Sequence, residues 1–293
     1  MTYLKEFFLP KRIDEDTFLL NFPHQLEMQC YSHTNSYPFR LFPEKGLSSL
    51  DFGQITVIYG GNGSGKSTLL NVIGEKIRID REARFNKSAL FDDYVELCGA
   101  DIIGTGIPRG SRLISSDDVF DFLLDMRSIN EGINARRNEL FLEYESLKDK
   151  QGFTLRTMED YEELKRVNEA RASTKSEFTS RRLRVVETAS ASNGESAYQY
   201  FTRKIDENAL YLLDEPENSL SPLLQAKLAQ YIADSARFYG CQFIISSHSP
   251  YFLSLASAVV YDLDKKPAQK TKWTELENIR MLRDFFKKHE NEF

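Results

Sequence analysis

The run QITVIY at 54–59 has no polar alternation and reads as a strand buried on both faces. The chain passes at once into GGNGSGKST. From Thr68 onward the period changes, and Leu69, Leu70, Val72, Ile73 and Ile77 fall on one broad helical face. Strand, glycine-rich loop and helix therefore follow one another without a spacer. Strand-like apolar runs recur at 209–213 and 242–245, with a helical stretch at 223–237 between them. Strands that alternate with helices predict an α/β fold around a largely parallel sheet.

Between these halves the pattern loosens. From 120 to 187 the chain is charged and poor in glycine, with Leu123, Leu124, Ile129, Ile133, Leu140, Phe141, Tyr144 and Leu147 at loosely helical spacing. Beyond Gln151 and Gly152, the apolar positions Tyr161, Leu164 and Val167 recur three apart among Glu, Lys and Arg. This predicts one domain over 1–293 with an antiparallel helical hairpin inserted at 120–187. A plain pair of surface helices without a partner fits the same pattern.

Composition narrows the class without naming a task. Of 293 residues, 41% are hydrophobic and 28% charged, as in a folded globular chain and unlike a collagen or a disordered tail. The formal charge is −6, so no global attraction to nucleic acid or anionic lipid is expected; only a local basic patch could serve such a partner. Cys30, Cys98 and Cys241 lie far apart and form no CxxC pair, which predicts neither a disulfide framework nor a cysteine zinc site. No apolar run is long enough to span a bilayer, and the start lacks the apolar core of a secretory signal. A soluble protein of the reducing cytoplasm, not inserted in a membrane, is the expectation.

Candidate chemistry begins in the glycine-rich loop. Gly60, Gly65, Lys66 and Ser67 complete G-x-x-x-x-G-K-[ST] between a strand and a helix, the context a phosphate loop requires. Such a loop lets backbone N–H groups from Gly60 through Asn62, Gly63, Ser64 and Gly65 curl around phosphates, and the helix opening near Thr68 presents its positive end to them. Lys66 is placed for the β- and γ-phosphates and Ser67 for Mg²⁺. The second element is LYLLDEPE, an apolar strand that delivers Asp214 and Glu215 at its C-terminal end, where ligands bind in parallel sheets. Asp214 suits Mg²⁺, held through water, and Glu215 suits a general base for the attacking water.

Two further runs complete the set: Ser192-Asn193-Gly194-Glu195, and Ser246-Ser247-His248-Ser249-Pro250. With these motifs in order over about 54–262, the sequence resembles the ABC-type ATPases, which include transporter subunits and the DNA-repair and chromosome-maintenance ATPases. Within them it looks most like small stand-alone bacterial AAA-labelled ATPases related to the repair branch. The resemblance implies a P-loop core with a largely parallel sheet, an N-terminal antiparallel β region and a helical lobe. It identifies Ser192, Gly194 and Glu195 with the signature motif, written SNGE where SGGQ is commoner, acting on the nucleotide of an opposite subunit. It identifies His248 with the switch histidine and Asn218 to Ser221 with the loop after the catalytic glutamate, although Ser221 stands where aspartate is usual.

The glutamine expected ahead of the helical insertion is absent from Arg112-Leu113-Ile114-Ser115-Ser116-Asp117-Asp118. There Ser116 or Asp117 could meet the metal, or Ser116 could cap a helix. Tyr37, Phe39 and Phe42 are candidates to stack on adenine or to sit in the core. The implied activity is ATP hydrolysis to ADP and phosphate by an ATP-dependent head-to-tail homodimer. Such a dimer regulates or powers a partner protein (an effector, nuclease or toxin), as in phage defence or DNA transactions. The alternative is the ATP-binding subunit of a membrane transporter, disfavoured by the missing glutamine and the long insertion.

Overall fold

The computed structural model describes residues 1–21, 36–149, 158–183 and 192–292. Among the described residues the strands are β1 (Leu4–Phe8), β2 (Ser49–Asp51), β3 (Ile55–Tyr59), β4 (Asp80–Arg81), β5 (Gly99–Ile102), β6 (Arg112–Ile114), β7 (Leu210–Asp214), β8 (Gln242–Ser246), β9 (Val259–Asp262) and β10 (Gln269–Lys270). The helices are α1 (Arg12–Asn21), α2 (Lys66–Lys76), α3 (Phe91–Leu97), α4 (Ser116–Asp149), α5 (Met158–Ala172), α6 (Lys175–Leu183), α7 (Asn193–Lys204), α8 (Pro222–Phe238), α9 (Pro250–Leu253) and α10 (Glu277–Lys288). None of the described helices is long and apolar enough to cross a membrane.

The chain divides into two compact units, one of Met1–Phe120 with Asn193–Phe293 and one of Asp121–Ser192. The first unit holds a seven-stranded sheet in the order β10-β9-β3-β8-β7-β6-β4, parallel throughout except for the β10 edge. Every residue of β3 and β8 is buried, which explains why these strands read as unbroken apolar runs. The expected α/β fold with a parallel sheet is present, and β2-β1-β5 form the antiparallel region that the resemblance implied.

Gln242, fully buried at the start of β8, joins the two sheets. Its Oε1 accepts from the N–H of Tyr3 (2.7 Å) and Leu4 (2.9 Å), while Nε2 donates to the carbonyls of Leu4 (2.8 Å) and Gly53 (3.0 Å). All four bonding positions of the amide are thereby used, the condition under which a buried polar side chain specifies packing instead of costing stability.

Among its described residues the second unit contains three helical segments, where the sequence pattern predicted two. Among the described residues Tyr144, Leu147, Val167, Ala170 and Phe178 form its core, with Phe178 contributed by α6. Arg182 of α6 lies over the Phe178 ring and pairs with Glu143 (3.0 Å) and Glu169 (2.9 Å). The start of α6 is fixed by a reciprocal cap: Thr174 N–H donates to Glu177 Oε2 (3.0 Å), and Glu177 N–H donates to Thr174 Oγ1 (3.3 Å). The link after Gln151-Gly152, where the hairpin turn was expected, lies outside the described residues, as does Cys30.

A second correction concerns the entry into α4. Ser115 N–H and Oγ both donate to Asp118 Oδ2, at 2.6 and 2.7 Å, and Asp118 N–H returns a bond to Ser115 Oγ at 3.3 Å. The cap is therefore Ser115, one residue before the expected Ser116, because only from there does the side chain reach the third helical residue.

One buried carboxyl in this frame carries a pH-dependent signature. Glu15 is fully buried and accepts the backbone N–H of Arg40 at 2.6 Å, while burial pushes its pKa from 4.5 up to about 7. Between those values the folded chain keeps a proton that the unfolded chain has released. Stability therefore falls as pH rises through that window and levels off above it. Glu15→Gln, a neutral isostere, is expected to flatten this fall. Urea titrations of both proteins at pH 5 and pH 8 check it, and an equal slope in both would show that Glu15 is not the group responsible.

Candidate functional site

β3 ends at Tyr59 and α2 begins at Lys66, so the phosphate loop sits at the C-terminal edge of the parallel sheet. A Cβ on Gly60 would lie 2.5 Å from Ser64 Oγ and 3.1 Å from Leu263, leaving no room for a side chain. Gly65 caps α2 with φ 92°, a backbone state that L side chains rarely adopt. These two requirements shape a backbone cradle at a helix N-terminus, with Asn62, Gly63 and Ser64 in the turn between.

Lys66 lies 4% exposed and reaches back across this cradle, donating to the carbonyls of Gly60 (2.7 Å) and Gly61 (3.4 Å). Its Nζ is 3.2 Å from Glu215 Oε1 and 2.8 Å from His248 Nε2. His248 Nε2 is in turn 3.6 Å from Glu215 Oε1. Three residues from three motifs, 182 positions apart at the extremes, thus meet around one point.

Adjacent strands β7 and β8 deliver the acidic side. Asp214 and Ser246 are register partners, and Asp214 Oδ1 accepts from Ser67 Oγ (3.1 Å) and from the Ser246 hydroxyl. Burial, opposed by those hydroxyls, holds the Asp214 carboxyl above its ordinary range, as expected of a carboxylate placed in poor solvent without a full counter-charge. Glu215 follows in a left-handed conformation, φ 48° and ψ 56°. Such a backbone is costly for a residue with a Cβ and turns the chain sharply, with the carboxylate facing Lys66. Hydrogen bonding toward His248, with help from Asn218 and Lys66, pulls the Glu215 pKa down to about 2, so it is ionised at neutral pH. Asn218 Nδ2 donates to Glu215 Oε2 at 3.0 Å.

This donor set fits a nucleotide phosphate and a divalent ion. The cradle admits no Cβ at Gly60, and an ammonium, a helix N-terminus and a hydroxyl–carboxylate pair, Ser67 with Asp214, converge on it. Among the described residues no three His, Cys, Asp or Glu cluster into a metal cage of their own. Ser67 and one carboxylate are instead the sparse protein ligation typical of Mg²⁺ shared with phosphate oxygens.

The remaining sequence candidates separate. Thr68 Oγ1 meets the hydroxyl of Tyr37, which is 47% exposed, whereas Phe39 and Phe42 are core residues beside Tyr94. Of the three aromatics only Tyr37 stands open next to the phosphate-loop helix. Ser192 and Glu195 are exposed at the start of α7. Gly194 has no left-handed φ; a Cβ there would meet Leu224 Cδ1 at 2.9 Å and the Ser219 carbonyl at 3.6 Å. Its small size thus serves packing against the turn after Glu215.

Sequence reasoning gave no role to Ser246, Glu217 or Asn278. Ser246 and Glu217 lay inside quoted motifs, where register with Asp214 or reach toward the backbone of His248 is a tertiary fact. Asn278, on α10, lay in no motif at all.

Residues 131–254 match a family model described as "AAA domain, putative AbiEii toxin, Type IV TA system". That stretch contains Ser192 to Glu195, Asp214, Glu215 and His248, while the phosphate loop precedes it. No curated protein matches the chain. Among solved structures it is similar to an inward-facing "putative metal-chelate type ABC transporter" (18% identity, 82% of each chain, TM-score 0.38). It is also similar to an SMC head domain from Thermotoga maritima (14% identity, 92% of this chain and 99% of that one, TM-score 0.36). A third likeness is to a dimeric bacterial ABC transporter cassette (16% identity, 78% of this chain and 90% of that one, TM-score 0.37). The family model spans fewer than half of the 293 residues, and each of these structures is below 20% identical to the chain.

Proposed function

We propose that the chain binds ATP with Mg²⁺ in the Gly60–Thr68 cradle and hydrolyses it to ADP and phosphate, using Glu215 as the base. The observation that carries this reading is the convergence of Lys66, Glu215 and His248 within 3.6 Å of one another beside the Ser67–Asp214 pair. Ser67 and Asp214 would hold Mg²⁺, which when bound offsets phosphate charge. Lys66 supplies a fixed positive charge to the phosphates, and its ammonium is already surrounded by acceptors that hold it at the loop. Glu215, ionised and fixed by Asn218, takes the proton of the attacking water. His248 presents Nε2 to the same point, where it can orient the water or a phosphate oxygen. Tyr37 is the aromatic best placed to meet the base.

The dimer belongs to this proposal as well. Ser192 and Glu195 are exposed at a helix N-terminus, a second anion-binding end that a single chain with one phosphate loop has no evident use for. Closure of this end on the nucleotide of another copy makes ATP promote a head-to-tail pair and hydrolysis release it. The cycle would regulate or power a partner, for example an effector in phage defence or a component of a DNA transaction. Affinity capture of the tagged chain from its own cells, with and without ATP, tests for that partner; the same proteins recovered with Lys66→Ala would count against nucleotide control.

Gly194→Asp places a negative charge at the α7 end and is expected to leave ATP binding intact while abolishing ATP-dependent dimerisation. Gly194→Ala is the control, since it makes the same Cβ contact with the flexible end of Leu224 and adds no charge. Light scattering with ATP and Mg²⁺ separates them. If Gly194→Asp dimerises and turns over like the parent, the run Ser192 to Glu195 is only a helix cap.

A further inference from the structure

We infer that Glu217 is a positioning residue for His248, holding the switch loop through its backbone; the inference rests on the catalytic reading of His248 above. Glu217 belongs to the 3-10 turn Pro216–Ser219 that immediately follows Glu215. Its Oε1 accepts the backbone N–H of His248 at 2.6 Å and the hydroxyl of Ser247 at 2.8 Å. Ser247 Oγ also accepts the N–H of Ser249 at 3.0 Å, so one carboxylate oxygen organises three consecutive residues of the loop. The His248 carbonyl is held from the other side, where Asn278 Nδ2 of α10 donates to it at 3.3 Å.

The peptide units flanking His248 are therefore fixed by two side chains from distant parts of the sequence. Among the described residues the imidazole meets Lys66 and Glu215 of the reaction site and lies T-shaped to the Tyr59 ring, 5.8 Å between centroids. A ring aimed this way needs its backbone fixed, because shifts of about 1 Å at a reacting group cost roughly 100-fold in rate. Glu217 is well suited to the task. It sits two residues after Glu215, so the turn that presents the base also sets the histidine.

Glu217 does not fit a catalytic role of its own. Burial pushes its carboxyl up from the ordinary range. Oε1 is engaged with Ser247 and His248, and Oε2 is buried with no hydrogen-bond partner among the described residues. The arrangement is one in which an amide oxygen could replace the carboxylate oxygen, because both donors use the same acceptor atom.

The test is a double-mutant cycle on steady-state ATP hydrolysis, with ADP affinity measured in parallel. Glu217→Ala is expected to lower kcat by about 10- to 100-fold with ADP affinity within about twofold of the parent. Glu217→Gln is expected to recover most of the rate, since its amide oxygen still accepts from both donors. In a His248→Ala background, Glu217→Ala is expected to cost nothing further, because the group it positions is gone. Ser247→Ala, which spares the backbone bond and removes a single hydroxyl, is expected to give a smaller loss and remains informative should Glu217→Ala fold poorly. Multiplicative losses in the double variant would overturn the inference, as would a Gln variant no better than Ala. A His248→Ala protein that turns over normally would instead overturn the catalytic reading on which it rests.

Discussion

Lys66→Ala is expected to remove measurable nucleotide binding while the fold survives. The ammonium is nearly inaccessible, tied to the Gly60 and Gly61 carbonyls and faced by Glu215, so its stem and charge are fixed before any ligand arrives. A charge-assisted bond to phosphate contributes about 1.5–3 kcal/mol, and an ammonium that meets two phosphates doubles it. The predicted loss of affinity is thus at least about 100-fold. The backbone cradle does not depend on Lys66, since Gly60 and Gly65 shape it, and α2 keeps its apolar face of Leu69, Leu70, Val72 and Ile73 in the core. Isothermal titration with ATP and Mg²⁺, with a thermal melt as the check on folding, measures this. A well-folded variant with parental affinity means that phosphate lies elsewhere.

Glu215→Gln is expected to leave ATP binding in place and to lower turnover by about 100- to 10,000-fold, the range for removing a positioned general base. Glutamine preserves shape, and its amide oxygen can still accept from Asn218. It meets the same left-handed backbone penalty as glutamate, so strain is not a difference between the two proteins. What disappears is an ionised carboxylate with a pKa of about 2. Because that value lies below the ordinary 4.5, the ionised group stabilises the fold at neutral pH and ceases to do so as pH falls toward 2. The variant should accordingly melt lower than the parent at pH 7 and approach it in acid. With turnover blocked and binding intact, the proposed dimer should accumulate in ATP, visible by light scattering. Parental turnover in Glu215→Gln would remove Glu215 from the chemistry.

The parts legible in the sequence were those written locally. A phosphate loop needs consecutive residues, so Gly60 to Thr68 could be placed as a unit, and strands β3, β7 and β8 were placed to within a residue because burial on both faces erases polar alternation. Two-residue β4 and three-residue β6 carry too little period to be seen, and they exist because their neighbours pair with them. Helix α6 was missed for a related reason. Phe178 and Leu183, the apolar residues of α6, are five apart and give no helical stripe in the sequence, and the signal that was present, the Thr174-x-x-Glu177 cap, is short.

The site divides along the same line. Lys66, Asp214, Glu215 and His248 came from motifs, but their mutual distances are set by the register of β7 on β8 and of β8 on β3. Glu217 and Asn278, which hold the backbone of His248, approach it from 31 and 30 positions away and could not be paired with it from spacing. At Gly194, which the resemblance identifies with the signature motif, the nearness of Leu224 and the Ser219 carbonyl is a packing reason for a small residue that the motif did not disclose.

The most direct test of an ATPase built on Lys66, Asp214 and Glu215 is phosphate release by the purified chain at saturating ATP, with Mg²⁺ present and then chelated. The expected result is steady release that stops without Mg²⁺ and is absent from both Lys66→Ala and Glu215→Gln. Release that persists undiminished in both variants, or none from the parent protein under any of these conditions, would contradict it.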